Sequence, residues 1–298
     1  MKGKALVVKH LIGRVRTKVR NIRGWNIKIN RETQLISDDA LEAELGERIL
    51  KVDRKTEEFW EWVRNSDLRE FQNYSYPHKK ALEFFFSAHL LEIKEGDIVL
   101  DIAGGRSNYL FAVKKTFRPS KLILQDHIYN GITERDGILI IGGSASKVTL
   151  SDMSVDKIAC HHAFEHFQQD VDFLFIKELS RLLNTRGKAV IIPLFIAKEY
   201  IECWNIQKNS KFNKNAKLIV DKTASLPGVD EDGHFARIYS PSILYSRILT
   251  LAEKVGLNWS IFTCTLDGKF LPDMNVNFGA EINYPLRALV LVKGTCTC

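Results

Sequence analysis

No apolar run in the 298 residues approaches the roughly 20 that a membrane-spanning helix needs, and no charged-then-apolar secretory leader is visible. The five cysteines, Cys160, Cys203, Cys264, Cys296 and Cys298, are odd in number and lack the spacing of a disulfide framework, so a reducing cytosol is the expected compartment. Cys296 and Cys298 form a terminal C-x-C that reads as a frayed tail, and the ending does not fit a prenylation signal. Internal repeats and low-complexity segments are absent. So is Gly-x-Gly-x-x-Gly, which argues against a dinucleotide turn. Acids are also missing from residues 1–31, which carry ten lysines and arginines.

That last absence explains the charge. The net +7 resides in the arm, because the remaining 33 bases face 36 acids, a balance of −3. Within the arm Val7, Leu11, Val15, Val19 and Ile22 recur at spacings of three and four, a helical stripe among Arg14, Arg16, Lys18 and Arg20. Such a helix either docks on the acidic domain or lies on an anionic membrane surface through residues 2–24. Its composition also resembles an organelle transit peptide. The acidic remainder gives no reason to expect a nucleic-acid partner.

A hydrophobic content of 45% is ordinary for a globular chain, and this length favours one large domain with additions. Three parts are expected: a basic arm over 1–36, a helical extension or cap over 37–92, and a main domain over 93–298. The extension carries Phe59, Trp60, Trp62 and Val63, then a helix from near Pro77 with Ala81, Phe84, Phe85, Ala88 and Leu91 on one face. From Ile98 onward strand and helix patterns alternate, which is the signature of a parallel sheet with crossover helices. Strands are expected at Ile98–Ile102, Lys121–Gln125, Gly137–Ile141, Lys157–Cys160, Lys188–Leu194, Trp259–Thr265 and Leu286–Val292. A helix with Val171, Leu174, Phe175, Leu179, Leu182 and Leu183 buried should close at Gly187. Another should start at Ser240-Pro241, with serine as cap and proline in the first position, and close at Gly256.

The most informative stretch is Ile98-Val-Leu-Asp-Ile-Ala-Gly-Gly-Arg-Ser107. An apolar strand ends in a carboxylate, Asp101, and a turn nearly free of side chains follows. This is one way to build a nucleotide pocket, since the backbone can approach a ligand and the next helix aims its N-terminus at it. Asp126 closes the next strand, Gly143-Ser144-Ala145 follows the third, and Cys160-His-His-Ala-Phe-Glu-His166 follows the fourth.

In this order the motifs resemble the class I S-adenosylmethionine-dependent methyltransferases over roughly residues 73–293. Arg181-Leu-Leu-Asn-Thr-Arg-Gly187 looks like the family's helix end before its fifth strand. The resemblance implies an α/β, Rossmann-like fold with a mostly parallel seven-stranded sheet, flanking helices and S-adenosyl-L-methionine as cofactor. It assigns Asp101, Ala103, Gly104 and Gly105 to the methionine side, Asp126 to the ribose, and Ser144 and Ala145 to the adenine. Ala103, Ser107 and Ser144 stand where the family more often has glycine or aspartate. They leave open a degenerate fold that serves as a binding or scaffold module.

His161 and His162 are expected at the C-terminal edge of the fourth strand, where open α/β sheets bind ligands. Both are catalytic candidates, one of them to line the cofactor sulfonium or to take a proton from the acceptor, and His161 is a candidate cofactor contact as well. A rival reading takes His162-Ala-Phe-Glu-His166 as the H-x-x-E-H of a zinc hydrolase, but the motif follows a strand rather than lying in a helix, and no metal site is expected. Residues 196–236 are too long for a simple connection and should build the acceptor side, with His234 and Arg237 as candidates to touch substrate or brace the helix at Pro241. The expected activity is methyl transfer to a small-molecule or glycan/lipid-linked acceptor, most readily at oxygen. The expected place is cytoplasmic or peripheral at the membrane. An Asn-Pro-Pro-Tyr segment of the nucleic-acid type does not follow the fourth strand.

Overall fold

The computed structural model describes residues 34, 36–66, 77–204, 212–220, 235–269 and 285–294. The arm helix, His234 and the C-x-C tail lie outside the described residues. Three helices occupy the extension: α1 (Asp38–Leu45), α2 (Thr56–Asn65) and α3 (Pro77–Leu91). Ser37 caps α1 by accepting the Ala40 N–H, and two acids fill the first turn, as the helix dipole favours.

Between α1 and α2 the helical expectation fails. Ile49–Arg54 is a strand, β1, paired in parallel with a later strand at the sheet edge. Its Ile-Leu-Lys-Val-Asp-Arg sequence has no buried face of its own and is extended by its partner, which no local pattern announces.

The main domain then runs β2 (Ile98–Ile102), α4 (Tyr109–Phe117), β3 (Lys121–Asp126), β4 (Ile132–Arg135), β5 (Ile138–Gly142) and β6 (Val155–His161), the expected order with β4 added. Next come α5 (Val171–Leu182) and β7 (Leu183–Ile192). A separate small sheet is built from β8 (Ile201–Trp204), β9 (Lys217–Val220) and β10 (Phe235–Ile238). After it α6 (Pro241–Leu244), a π-helical turn (Tyr245–Leu249) and α7 (Thr250–Lys254) run on as one helix. It is capped by Ser240 and followed by Gly256 at φ 78°. β11 (Leu257–Leu266) and β12 (Arg287–Lys293) finish the sheet.

The large sheet has nine strands in the order β1-β11-β12-β7-β6-β2-β3-β5-β4. The two beyond the expected seven are its edges, β1 and the exposed β4. Pairing is parallel from β7 through β5 and antiparallel at β12 and β4. Apolar side chains cover both faces, α5 to α7 on one and α2 to α4 on the other, which is why consecutive residues are apolar at 98–100 of β2, 122–124 of β3 and 158–160 of β6. α3 is buried nearly all round, Glu83 and Ser87 included.

Two helix readings need correction. Leu174 is exposed. Gly187 does not close α5, because β7 begins at Leu183. Gly187 sits inside that strand, where an added Cβ would lie 2.8 Å from the Asn184 carbonyl oxygen and 3.1 Å from that of Asp156. The glycine answers a close backbone approach beside a break in the β6–β7 register.

β2 lies between β3, reached first, and β6, reached after the chain has crossed back. Strand order reverses there, and the crevice at the C-terminal ends of β2 and β6 is where such sheets take ligands.

Candidate functional site

At that crevice β2 ends in Asp101, fully buried, and the chain turns through Ala103, Gly104 and Gly105. Three consecutive amides of the turn are gripped by the end of β3. Ala103 N–H donates to the Gln125 side-chain oxygen at 3.2 Å, Gly104 N–H to the Gln125 carbonyl at 3.1 Å, and Gly105 N–H to Asp126 Oδ2 at 2.7 Å. A Cβ on Gly104 would lie 2.6 Å from Asp101 Oδ2 and 2.7 Å from Leu124 Cδ1, so a side chain there would displace Asp101 and Leu124. Gly105 is held by conformation instead, at φ 57°, and around its position only Asp126 Oδ2 comes near, at 3.8 Å. The turn therefore offers a bare outer face. Ser107 accepts the Tyr109 N–H at 3.0 Å and so secures the entry to α4.

Asp126 is nearly buried. Its Oδ1 accepts the Ile128 N–H at 3.0 Å and lies 3.1 Å from His127 Nδ1. Each oxygen keeps lone-pair capacity for a ligand hydroxyl. Tyr129 donates its hydroxyl to the Gly105 carbonyl at 2.7 Å. The β5 loop is tied in by Gln125, whose amide nitrogen donates to the Gly143 carbonyl. Ala145 is buried there, while Ser144 is exposed and shares a 2.8 Å hydrogen bond with Ser146.

The two histidines at the end of β6 part company. His161 turns inward, its Nδ1 3.3 Å from Asp101 Oδ1 and its ring wedged between Phe84 and Tyr109 with centroids 4.7 and 4.5 Å away. His161 Nε2 and Asp101 Oδ2 are buried without a hydrogen-bond partner among the described residues. The expectation that His161 meets an acceptor does not suit a side chain 3% exposed; it backs Asp101 instead.

His162 takes the left-handed conformation, φ 49°, with its side chain 27% exposed between two carboxylates. Its Nε2 lies 2.7 Å from Glu83 Oε1 of α3, and its Nδ1 lies 3.0 Å from Glu165 Oε1. Burial alone would raise the Glu83 carboxyl, but the charges of His162 and Lys80 and the His162 hydrogen bond hold it far below the usual range. For Glu165 the same contest, against His166 and His162, ends at about 2.

The H-x-x-E-H reading finds no support in this geometry. Both His162 nitrogens face carboxylates, and His166 donates from Nδ1 to the Phe235 carbonyl at 2.7 Å. Among the described residues no group of three ligating side chains is placed to hold a metal.

Residues 100–191 match the model of a family described as a methyltransferase domain. Over those residues the chain carries a class I S-adenosylmethionine-dependent methyltransferase domain. Among solved structures similar to it is one from a complex of the Haloferax volcanii Trm112 methyltransferase activator with its methyltransferase, at 14% identity and TM-score 0.49, covering 80% of this chain and 98% of that one. Another is an S-adenosylmethionine-dependent methyltransferase from Aquifex aeolicus, at 14% and 0.41, covering 76% and 97%. A third is the Burkholderia thailandensis 1,6-didemethyltoxoflavin-N1-methyltransferase with bound 1,6-didemethyltoxoflavin and S-adenosylhomocysteine, at 11% and 0.44, covering 89% and 93%. No curated protein matches the sequence.

In this methyltransferase domain the end of β3 ties the turn residues and the β5 loop together, and Asp101 lies buried against Gly104. Of the three departures from the family pattern, Ala103 donates to Gln125, Ser107 accepts from Tyr109, and Ser144 shares a hydrogen bond with Ser146. Arg237 is withdrawn as a substrate contact. It is 2% exposed, ion-paired with Asp172 and Glu202, and donates to the Gln169 carbonyl at 3.0 Å. Asp172 also accepts from Tyr239 at 2.6 Å and twice from Arg247. This buried network joins the small sheet to α5 and to the helix at Pro241.

Gln125, Glu83 and Glu165 escaped the sequence reading. Two had a visible signal: a polar residue ending the Leu-Ile-Leu run of β3, and an acid inside the apolar helix α3. The third sat within a motif read only for its histidines.

Proposed function

We propose that the domain methylates a small-molecule or glycan/lipid-linked acceptor, most readily at a hydroxyl. The observation that supports it is the grip of β3 on the turn, which leaves the Gly104–Gly105 face bare between the carboxylates Asp101 and Asp126. These residues fit S-adenosylmethionine in kind: Asp126 toward the ribose, the turn with Asp101 toward the methionine part, and Ser144 and Ala145 toward the adenine edge. When bound, the cofactor supplies a methyl group already activated by its sulfonium charge, so placing the acceptor in line is the main task left to the protein.

Transfer to a hydroxyl also needs a proton acceptor. His162 is the candidate at the crevice: its ring is oriented by Glu165, and it can take the proton only as the neutral imidazole with its Nε2 free of Glu83. α3, which brings Glu83 to that nitrogen, acts as the cap over the cofactor edge. The small sheet β8-β9-β10 and the rest of 196–236 form the acceptor side. Residues 2–24 add contact with anionic membranes; no helix among the described residues is long and apolar enough to cross one.

Calorimetry with S-adenosylhomocysteine tests the cofactor site: binding is expected, with a loss of about tenfold or more in Asp126→Ala. No binding at millimolar ligand would remove the reading. With labelled cofactor and a panel of hydroxyl-bearing acceptors, His162→Ala should lower turnover while leaving S-adenosylhomocysteine affinity intact. Deletion of residues 2–24 should abolish association with anionic vesicles, and unchanged association would discard the membrane role.

A further inference from the structure

Gln125 follows Leu122, Ile123 and Leu124 as the penultimate residue of β3, and it is fully buried. A buried primary amide must satisfy an acceptor oxygen and a donor nitrogen. Here the two ends reach different loops. The oxygen accepts the Ala103 N–H on the β2 turn, and the nitrogen donates to the Gly143 carbonyl on the β5 loop. The backbone carbonyl of the same residue holds the Gly104 N–H, and its neighbour Asp126 holds the Gly105 N–H. One side chain thus braces the two loops that flank the end of β3.

Few side chains can serve as this brace. An apolar residue of equal length would leave the Ala103 N–H and the Gly143 carbonyl without these partners and the two loops untied. A carboxylate would set a second acceptor against the Gly143 carbonyl.

The geometry points to Gln125 as the positioning residue that fixes the spacing between the methionine-side turn (103–105) and the adenine-side loop (143–145), so that both halves of S-adenosylmethionine are bound at once. This rests on the cofactor site proposed above. The residue is placed to touch no ligand; its effect runs through the two loops. A ligand that uses only one loop is insensitive to their spacing, whereas a ligand spanning both depends on it, since a preorganised site lowers the cost of binding.

The test compares two probes on the full chain by calorimetry, S-adenosylhomocysteine and adenosine, in wild type, Gln125→Met and Gln125→Asn. The methionine variant keeps the shape and loses both hydrogen bonds. The asparagine variant keeps an amide too short to reach both loops, and carries the same expectation should the first not fold. Affinity for S-adenosylhomocysteine should fall about tenfold or more while that for adenosine changes by less than about threefold. Equal losses for both probes would mark a general structural role and overturn the proposal. So would retention of S-adenosylhomocysteine affinity in both variants. Failure of the wild-type chain to bind S-adenosylhomocysteine would instead remove the cofactor reading, and this inference with it.

Discussion

Ala103 holds φ at 52°, a region where a Cβ crowds the following carbonyl and costs about 1–2 kcal/mol. The bonds from Ala103, Gly104 and Gly105 to the end of β3 keep it there. Ala103→Gly should therefore stabilise the fold by up to about 1 kcal/mol, after glycine's greater loss of chain entropy is deducted. Urea denaturation reads the change, and a destabilised variant would show that the alanine methyl contributes packing. Glu83 and Glu165 set the acid limit. Both ionise more readily folded than unfolded, where a glutamate titrates near about 4.3. Their stabilisation is therefore complete above about pH 5 and fades as pH falls toward about 2. Unfolding free energies measured between pH 7 and 3 should drop less steeply in Glu83→Gln than in wild type, and parallel profiles would discount the pair's role. Of these residues Ala103 was readable in sequence because the motif singles out its position. Glu83 stood out as an acid in an apolar helix, but its pairing was not readable, since its partner His162 lies 79 positions away.

Elements, unlike single contacts, depend on how they are joined. The small sheet meets α5 through Asp172, Glu202, Arg237 and Arg247, all deeply or largely buried. Deleting one partner of a buried ion pair leaves an unpaired charge and costs on the order of 3–5 kcal/mol. Arg237→Ala should lose stability of that order and leave S-adenosylhomocysteine affinity unchanged, because Arg237 braces β10 and lies outside the proposed cofactor site. A selective loss of ligand binding without destabilisation would return it to the substrate-contact role. Local patterns located most of these elements: β2, β3, β5 and β6 are apolar runs ending at polar turns, and Ser240-Pro241 starts its helix. They missed β1, whose alternation of charged and apolar residues fits an edge strand only once β11 is beside it. They also misread Gly187, since a close backbone approach and a helix stop both call for glycine.

For the whole molecule, the N-terminal extension belongs to the sheet domain rather than hanging from it. Arg287 of β12, 1% exposed, ion-pairs with Asp38 at 2.6 Å and donates to the Ile36 carbonyl at 2.8 Å, while Asp38 also accepts from Thr263 at 2.9 Å. β1 adds a strand to the same edge. Arg287→Met should lower the unfolding free energy by about 3 kcal/mol, and amides of residues 36–54 should exchange faster than those of β2 and β6. Uniform exchange across both regions would show that β1 alone holds the extension in place.

Sequence by itself determined the turn after Asp101, the order of the seven expected strands, and the carboxylates Asp101 and Asp126 on β2 and β3. These are written in local chemistry: small residues where a side chain cannot fit, and apolar runs where both faces are covered. Only the tertiary structure decided which polar groups meet. It turned His161 inward behind Asp101, set His162 between Glu83 and Glu165, buried Arg237 in a brace, and joined two loops through Gln125. Such pairings are decided by strand order and burial, because a buried polar group takes its partner from whatever element packing brings within reach.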